Sequence, residues 1–533
     1  MMQRDTQQPP RSRERHSLAL VLILLFGFAL RVIDLDRMPP FAHGDDANLA
    51  EYSQVVLRGE APWHGVRSDG DTNWAFLQYA VFRAFGDDLW ALRITSVFWS
   101  MLALSGAYYG VRQMFDRRVA LYAMFLMAAG HLLIHFGRVA TIVLPALFTS
   151  FLAVGLYLRA QKGGDGQGRG SSLPRPALLA LAGALRAFNL YQYAAAKPVL
   201  FAIAALWLLS LPRRRDAWPT FLKSTAWLAA GFLLVAAPIA WWYVLRPFDL
   251  YGRAEFLSVF NPRFAAANLR LYGTLDPPAL LWGQTLRSLG AFAVIWDTSP
   301  NYHFDAALLD PVTAVLTVPG LVLAFRRSAK LALALLIWLA AGLIAGAILL
   351  ADPPTSYHYI VLVPIAMVFG ALCLDRLSAT PLGRRFVPLV LACVAVANVY
   401  LYFGVYPTKG AWYSLESDVG FFVRGQQSCC SVWYMGEPET TPRKISALIA
   451  GVTLIHYMRD EEQLADAITP FLADEQPDLI IVPQDKVDSY LPRLRLRYPH
   501  GRAHFYMDRG RAMFCVFTLE RKAQLTGRFS RND

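Results

Sequence analysis

Long runs of apolar residues dominate the first 406 positions, each close to the ~20 residues a bilayer-spanning helix needs. They fall near residues 17–34, 89–111, 118–136, 140–159, 176–194, 196–212, 224–245, 311–326, 330–350, 357–375 and 386–406, predicting about eleven transmembrane helices. A further apolar stretch, 278–296, carries Gln284 and Arg287 and reads as interfacial or re-entrant. The segment between the first two runs, 35–88, is long and patterned. Leu49, Tyr52 and Val56 recur at helical spacing, as do Trp74, Leu77, Val81 and Phe85, predicting two amphipathic helices on a membrane surface. From residue 407 the pattern changes. SVWYMG, VTLIHYM, DLIIVPQ, RAHFYM and MFCVFTLE are short strand-like runs, with EEQLADAITPFLA and DKVDSYLPRLRLRY reading as helices. The tail 407–533 is therefore expected to be a small α/β domain.

Composition agrees with the pattern. The chain is 55% hydrophobic and 17% charged, against roughly 25% charged in soluble domains. The net charge of +12 is scattered between apolar runs without a basic-aromatic module, which argues against nucleic-acid binding. Charge also gives an orientation. With the N-terminus inside, the loops at 112–118, 159–170, 212–215, 325–330 and 375–385 are all basic, as cytoplasmic loops should be. The first loop, the HFGR turn, 246–310 and DPPTSYHY then lie outside, and an odd number of spans leaves the tail outside too. Residues 1–16 read as a cytoplasmic tail and 17–406 as the transmembrane domain. The first run is followed by no small-x-small cleavage site, so it reads as a helix rather than a removable signal.

The five cysteines form no metal pattern. Cys373 and Cys393 lie in apolar runs, whereas Cys429, Cys430 and Cys515 lie in the tail. An outside tail would permit a bond from Cys429 or Cys430 to Cys515; three free thiols is the other reading. The apolar runs lack the midplane acids of a proton-coupled transporter. Polar residues gather instead at the expected outer helix ends: Asp45, Asp46, His43, Arg93, His131, His135, Arg138, Tyr191, Gln192, Tyr193, Lys197, Arg253, Asp297, His303, Asp305, Ser356, Tyr357 and His358. Carboxylates beside cations suit a reaction in which a hydroxyl attacks and a phosphate leaves. Arg93 and Arg138 also have a plainer reading as markers of the membrane boundary, and an aspartate at the head of the 46–58 helix can simply cap it.

The stretch HGDDANLAEYSQVVLRGEAPW resembles the first-loop motif of the polyprenyl-phosphate-sugar-dependent glycosyltransferases, membrane enzymes of the GT-C fold related to protein O-mannosyltransferases (glycosyltransferase 39) and aminoarabinose transferases. In that motif the acidic pair is usually Asp-Glu; here it is Asp-Asp. FGDDLWALRIT, HFGRVATIVLP, NLYQYAAAKPVL, LYGRAEFLSVFNP and DTSPNYHFDAALLDP resemble later segments of the same family, matching Arg93, Arg138, Lys197 and Arg253 to its cations. The resemblance spans most of 17–405. It implies a lipid-linked sugar phosphate as donor and a protein, lipid or glycan acceptor on the extracytoplasmic side of a bacterial inner membrane. Asp45 would be the base of an inverting transfer and Asp46 its acidic neighbour. Arg138, Lys197, Arg253 and Arg93 would bind the donor phosphate, and His43, Tyr191, Tyr193, His303 and His358 are possible acceptor or sugar contacts. His43, His303 and His358 could hold a divalent metal with an acid, but their spacing specifies no site. A transporter or flippase of lipid-linked glycans is the alternative, and a catalytically inactive scaffold displaying the tail is a third.

Overall fold

The computed structural model describes residues 10–42, 44–57, 72–86, 88–162, 173–192, 200–297, 306–351, 354–408, 415–426, 430–436, 455–459, 478–508 and 511–519, with a few isolated positions between them. The chain forms two compact units. One comprises 1–35, 52–81 and 93–409; the other 36–51, 82–92 and 410–533.

Helix α1 (Pro10–Val32) opens the chain, followed by α2 (Gly44–Leu57), α3 (Thr72–Phe85), α4 (Leu89–Met114), α5 (Arg117–Ala129), α6 (His131–Phe136) and α7 (Leu144–Lys162). Next come α8 (Arg175–Phe188), α9 (Leu200–Leu208), α10 (Trp218–Leu245), α11 (Phe248–Leu257), α12 (Ala265–Tyr272) and α13 (Pro277–Gly290). The last helices of the first unit are α14 (Pro311–Leu343), α15 (Ser356–Tyr359), α16 (Val363–Ser378) and α17 (Pro381–Val399). Their starts follow from the sequence. Asp116, Asp276, Asp310 and Thr380 each cap a helix with the side-chain oxygen accepting a backbone N–H, and Pro277, Pro311 and Pro381 occupy first-turn positions where no N–H is needed.

Each of the eleven expected spans has a helical counterpart, but the helices differ in reach. Among the described residues five are long and apolar enough to cross a membrane: Glu14–Val32, Leu89–Met114, Arg215–Leu245, Pro311–Ile348 and Pro381–Thr408. The count of eleven is not reproduced by that measure. The run at 118–136 is broken at Gly130, where α5 ends in an extended residue and α6 begins. Helix α9 has 9 residues and rises only about 14 Å. The range given as α14 holds two helical segments, matching the expected spans 311–326 and 330–350, which meet at Ser328, whose backbone leaves the helical region (φ −162°, ψ 99°).

The core of the first unit is built from α4, α5, α7, α14 and α16. Helix α16 buries almost every residue, including Met367, Phe369 and Leu372, and Trp338 of α14 lies 5.2 Å from the Phe151 ring. Helices α10 and the first half of α14 turn aliphatic side chains outward: Leu234 is 78% exposed and Val315 71%. A soluble protein would not leave such a surface to water.

In the second unit all five expected strands are present: β1 (Ser431–Met435), β2 (Ile455–Met458), β3 (Asp478–Pro483), β4 (Arg502–Asp508) and β5 (Arg511–Leu519). The sheet order is β2-β1-β3-β5-β4. β1 pairs in parallel with β2 and β3, whereas β5 pairs antiparallel with β3 and β4. Period-2 alternation divides the strands between two faces. Trp433, Ile480, Val482, Cys515 and Phe517 form one cluster with Val487, Leu491 and Leu494 of α19 (Val487–Arg497). Val432, Tyr434, Ile481, Phe514 and Val516 form the other with Val419 and Val423 of α18 (Leu415–Gly425). Each aliphatic side chain buried this way contributes roughly 1.5–3 kcal/mol.

The bond from the 429–430 pair to Cys515 that the sequence permits is not formed. Cys515 is a free thiol buried under α19, and Cys430 is disulfide-bonded elsewhere.

Candidate functional site

The first-loop acids belong to the same compact unit as the tail. Asp45 and Asp46 lie in the first turn of α2. Asp46 is completely buried; the side chain of Asp45 and all of His43 lie outside the described residues. The loop just before them is tied to the tail. Ala42 N–H donates to Ser417 Oγ at 3.0 Å, and the Ser417 hydroxyl donates back to the Ala42 carbonyl at 3.4 Å. Ser417 is fully buried in the first turn of α18. A residue of the tail thus grips the backbone three positions ahead of Asp45.

In the first unit, the HFGR turn closes the end of α1. Arg138 Nη1 donates to the Leu30 carbonyl at 2.9 Å, and Nη2 to those of Ile33 and Asp34. The last carbonyls of a helix have no intrahelical partner, and Asp34 sits in the left-handed region at φ 53°. A guanidinium with five donors is suited to gather such carbonyls. Arg138 also lies 5.8 Å and 5.2 Å from the ring centroids of Tyr402 and Phe403. Arg93 does similar work, with Nη1 donating to Leu35 O at 3.0 Å.

One turn earlier on α1, Arg31 is fully buried. Its Nε donates to Ser100 Oγ at 2.6 Å, Nη1 to the carbonyls of Gly27 and Ala128, and Nη2 to those of Met127 and Leu133. Gly137 makes this possible, because a Cβ there would lie 2.8 Å from Arg31 Nε and 2.9 Å from Ser100 Oγ. The Gly-Arg pair of the turn therefore serves both arginines of the α1–turn junction.

The other candidates are distributed as follows. Lys197 Nζ donates to Tyr243 OH at 3.1 Å and lies 5.2 Å from its ring centroid, at the end of α10. Tyr191 OH donates to the Val235 carbonyl of α10 at 2.8 Å. His358 is buried, its ring 4.2 Å from that of Tyr357. Asp297 and Ser356 are brought together: Asp297 Oδ2 accepts the Ser356 N–H at 2.8 Å, placing a buried carboxylate at the start of α15. His131 and His135 join separate networks. His131 Nδ1 lies 2.6 Å from Asn398 Oδ1, and Asn398 donates to Asp310; His135 Nδ1 lies 3.0 Å from Tyr406 OH. Arg253 lies in α11 with its side chain outside the described residues, as are Tyr193 and His303 entirely. Among the described residues no three His, Cys, Asp or Glu side chains gather as a metal-ligand set. That geometry supplies no metal site for His358, and His43 and His303 lie outside it.

Residues 73–242 match the family described as dolichyl-phosphate-mannose-protein mannosyltransferase. Among solved structures, ArnT from Cupriavidus metallidurans in the apo state is 12% identical over 95% of this chain and 98% of that one, with a TM-score of 0.51. The archaeal oligosaccharyltransferase AglB from Archaeoglobus fulgidus, solved with an inhibitory peptide and a dolichol-phosphate, is 14% identical over 97% of this chain and 76% of that one, also at 0.51. The chain has the GT-C glycosyltransferase fold. The resemblance carried by the first-loop motif and the later turns therefore holds at the level of fold, and this GT-C chain is an integral membrane protein. No curated protein sequence matches it significantly.

Two buried cations of this GT-C bundle escape the sequence reading. Arg31 stands in the first apolar run, and its signal was a charge inside a membrane segment, which is costly without partners. Arg186 stands in the last turn of α8, 2% exposed.

Proposed function

We propose that this protein transfers a sugar from a polyprenyl-phosphate-linked donor to an acceptor hydroxyl on the extracytoplasmic face of a bacterial plasma membrane. The observation that carries this reading is the GT-C fold along nearly the whole chain, combined with an acidic pair at the head of α2 in the first loop.

In this reaction Asp45 accepts the proton of the acceptor hydroxyl. The acceptor oxygen forms a bond to the anomeric carbon from the face opposite the phosphate, the bond from that carbon to the phosphate oxygen breaks, and polyprenyl phosphate leaves. A carboxylate is charged at neutral pH without any special tuning and assists the transfer if held in line. Cations offset the charge that builds on the departing phosphate. Lys197 and Arg253 are the candidates for that role. Arg138 and Arg93 contribute by holding the carbonyls at the end of α1, where the first loop begins. Asp46 is one methylene shorter than the glutamate usual in the resembled motif, and its complete burial favours a supporting role beside Asp45.

The reading is tested with the purified full chain in lipid, a panel of labelled polyprenyl-phosphate sugars, and the variant Asp45→Asn. The wild type should release polyprenyl phosphate with at least one donor, and the variant should bind that donor while turning over about 10²-fold or more slowly. Undiminished turnover in Asp45→Asn would remove Asp45 as the base.

A further inference from the structure

Four buried arginines stand in the first unit: Arg31, Arg93, Arg138 and Arg186. Arg31, Arg93 and Arg138 place terminal nitrogens on backbone carbonyls. Arg186 does not. It is 2% exposed, and neither Nη1 nor Nη2 has a hydrogen-bond partner among the described residues; no ion pair there includes it. Six positions on, Gln192 is 1% exposed, and both ends of its amide also lack partners among the described residues. The two residues flank a well-anchored turn. Asn189 accepts from Thr149 Oγ1 at 2.5 Å and donates to Ser150 Oγ at 3.1 Å, both on α7, while Tyr191 is fixed to α10. The segment is thus held firmly between α7 and α10 while its strongest donors stay unused.

Burying an unpaired guanidinium is unfavourable by several kcal/mol, and arginine keeps its proton, so the charge is not relieved by neutralisation. Its planar fork matches a phosphate with two parallel hydrogen bonds, and an amide adds one more donor. We propose that Arg186 and Gln192 form an anion subsite that takes the phosphate of a phosphorylated lipid. Given the function proposed above, on which the identity of the lipid rests, the occupant is polyprenyl phosphate, as part of the donor or as leaving group. An ordinary phospholipid headgroup presents the same chemistry.

The experiment measures lipid binding by native mass spectrometry, and thermal unfolding, on the purified full chain and its Arg186→Met, Arg186→Lys and Gln192→Leu variants. The lipids are undecaprenyl phosphate, uncharged undecaprenol and phosphatidylglycerol. Wild type should bind undecaprenyl phosphate and not undecaprenol. Arg186→Met should bind the phosphate at least tenfold more weakly, with Arg186→Lys intermediate and Gln192→Leu weakened less. Lipid-free Arg186→Met should melt at or above the wild-type temperature, because it removes an unpaired buried charge. Unchanged undecaprenyl phosphate binding by Arg186→Met, with turnover intact, overturns the subsite and leaves the glycosyltransferase reading standing. So does a lipid-free Arg186→Met that melts several degrees lower, since that would mean the guanidinium is already paired. If wild type binds phosphatidylglycerol in preference and Arg186→Met loses it, the subsite stands and the donor assignment fails. Binding of neither phospholipid nor undecaprenyl phosphate by wild type overturns the subsite itself.

Discussion

The crossing of α8 and α10 offers a sharp test of the bundle, because two glycines meet there. A Cβ on Gly231 would land on the Ala180 carbonyl and lie 2.8 Å from Ala180 Cα; a Cβ on Gly183 would land on the Leu228 carbonyl and lie 2.9 Å from Phe232 N. Ordinary Cβ contacts begin near 3.4 Å. The obstacles are backbone atoms on rigid helices, so neither can swing aside. Either Gly→Ala change must push the helices apart by something near 1 Å. A gap of 0.5–1 Å forfeits a quarter to a half of the contact energy along the seam, and overpacking of this kind typically costs about 1–3 kcal/mol. Small residues at such crossings are the means by which membrane helices approach closely. Gly183→Ala and Gly231→Ala should each destabilise by ~3 kcal/mol. One separation relieves both clashes, so the double variant should lose ~4 kcal/mol rather than ~6, a coupling that a double-mutant cycle resolves. The assay is intrinsic-fluorescence thermal unfolding in a single detergent, with all four proteins side by side. Single variants that melt with the wild type, or a double variant whose loss is the full sum, would refute the close crossing.

Other predictions follow from individual contacts. Arg31→Met removes the donor to four backbone carbonyls and Ser100; breaking a buried charged network of this sort costs about 3–5 kcal/mol, so its melting temperature should fall by several degrees, and a wild-type melt would show the clamp to be dispensable. Ser417→Ala loses both bonds to Ala42, and should lower kcat about tenfold with KM for the donor little changed, while Ser417→Thr restores most of it; equal losses in kcat and in folded yield would mark a purely structural role. Lys197→Met should raise the KM for a polyprenyl-phosphate donor about tenfold, as expected for loss of one charge-assisted contact, and an unaltered KM would remove Lys197 from the donor site. Burial pushes the Cys515 thiol above its ordinary value, so at pH 8 it should alkylate far more slowly in the native protein than in denaturant; equal rates would contradict its place under α19.

The features most legible in the sequence were those set by local chemistry. The helix read at 46–58 from its apolar spacing is α2, with the acidic pair in its first turn. The basic FRRSAK stretch separated two expected spans, and the backbone does break at Ser328, between the two helical segments of α14. The five tail strands were readable because alternation and β-branched content act over a few residues. Reach was harder. Gly130 ends α5 early and α9 is short, and neither outcome follows from hydropathy, which reports burial in lipid and burial in protein alike. The same blindness hid Arg31 and Arg186. Within an apolar run a cation reads as an anomaly, and only the packed structure tells a satisfied one from one with unused donors. The grip of Ser417 on the acidic loop joins positions 375 residues apart, beyond any local pattern.

The most direct test of the central claim is an NMR measurement of the product formed from an anomerically labelled polyprenyl-phosphate sugar by the protein in sealed vesicles. A glycosyltransferase of the proposed mechanism yields one polyprenyl phosphate per glycoside formed, with the anomeric configuration inverted. Retained configuration would contradict the in-line attack assisted by Asp45. Donor that crosses the vesicle with its sugar–phosphate bond intact, and no glycoside, would contradict sugar transfer altogether.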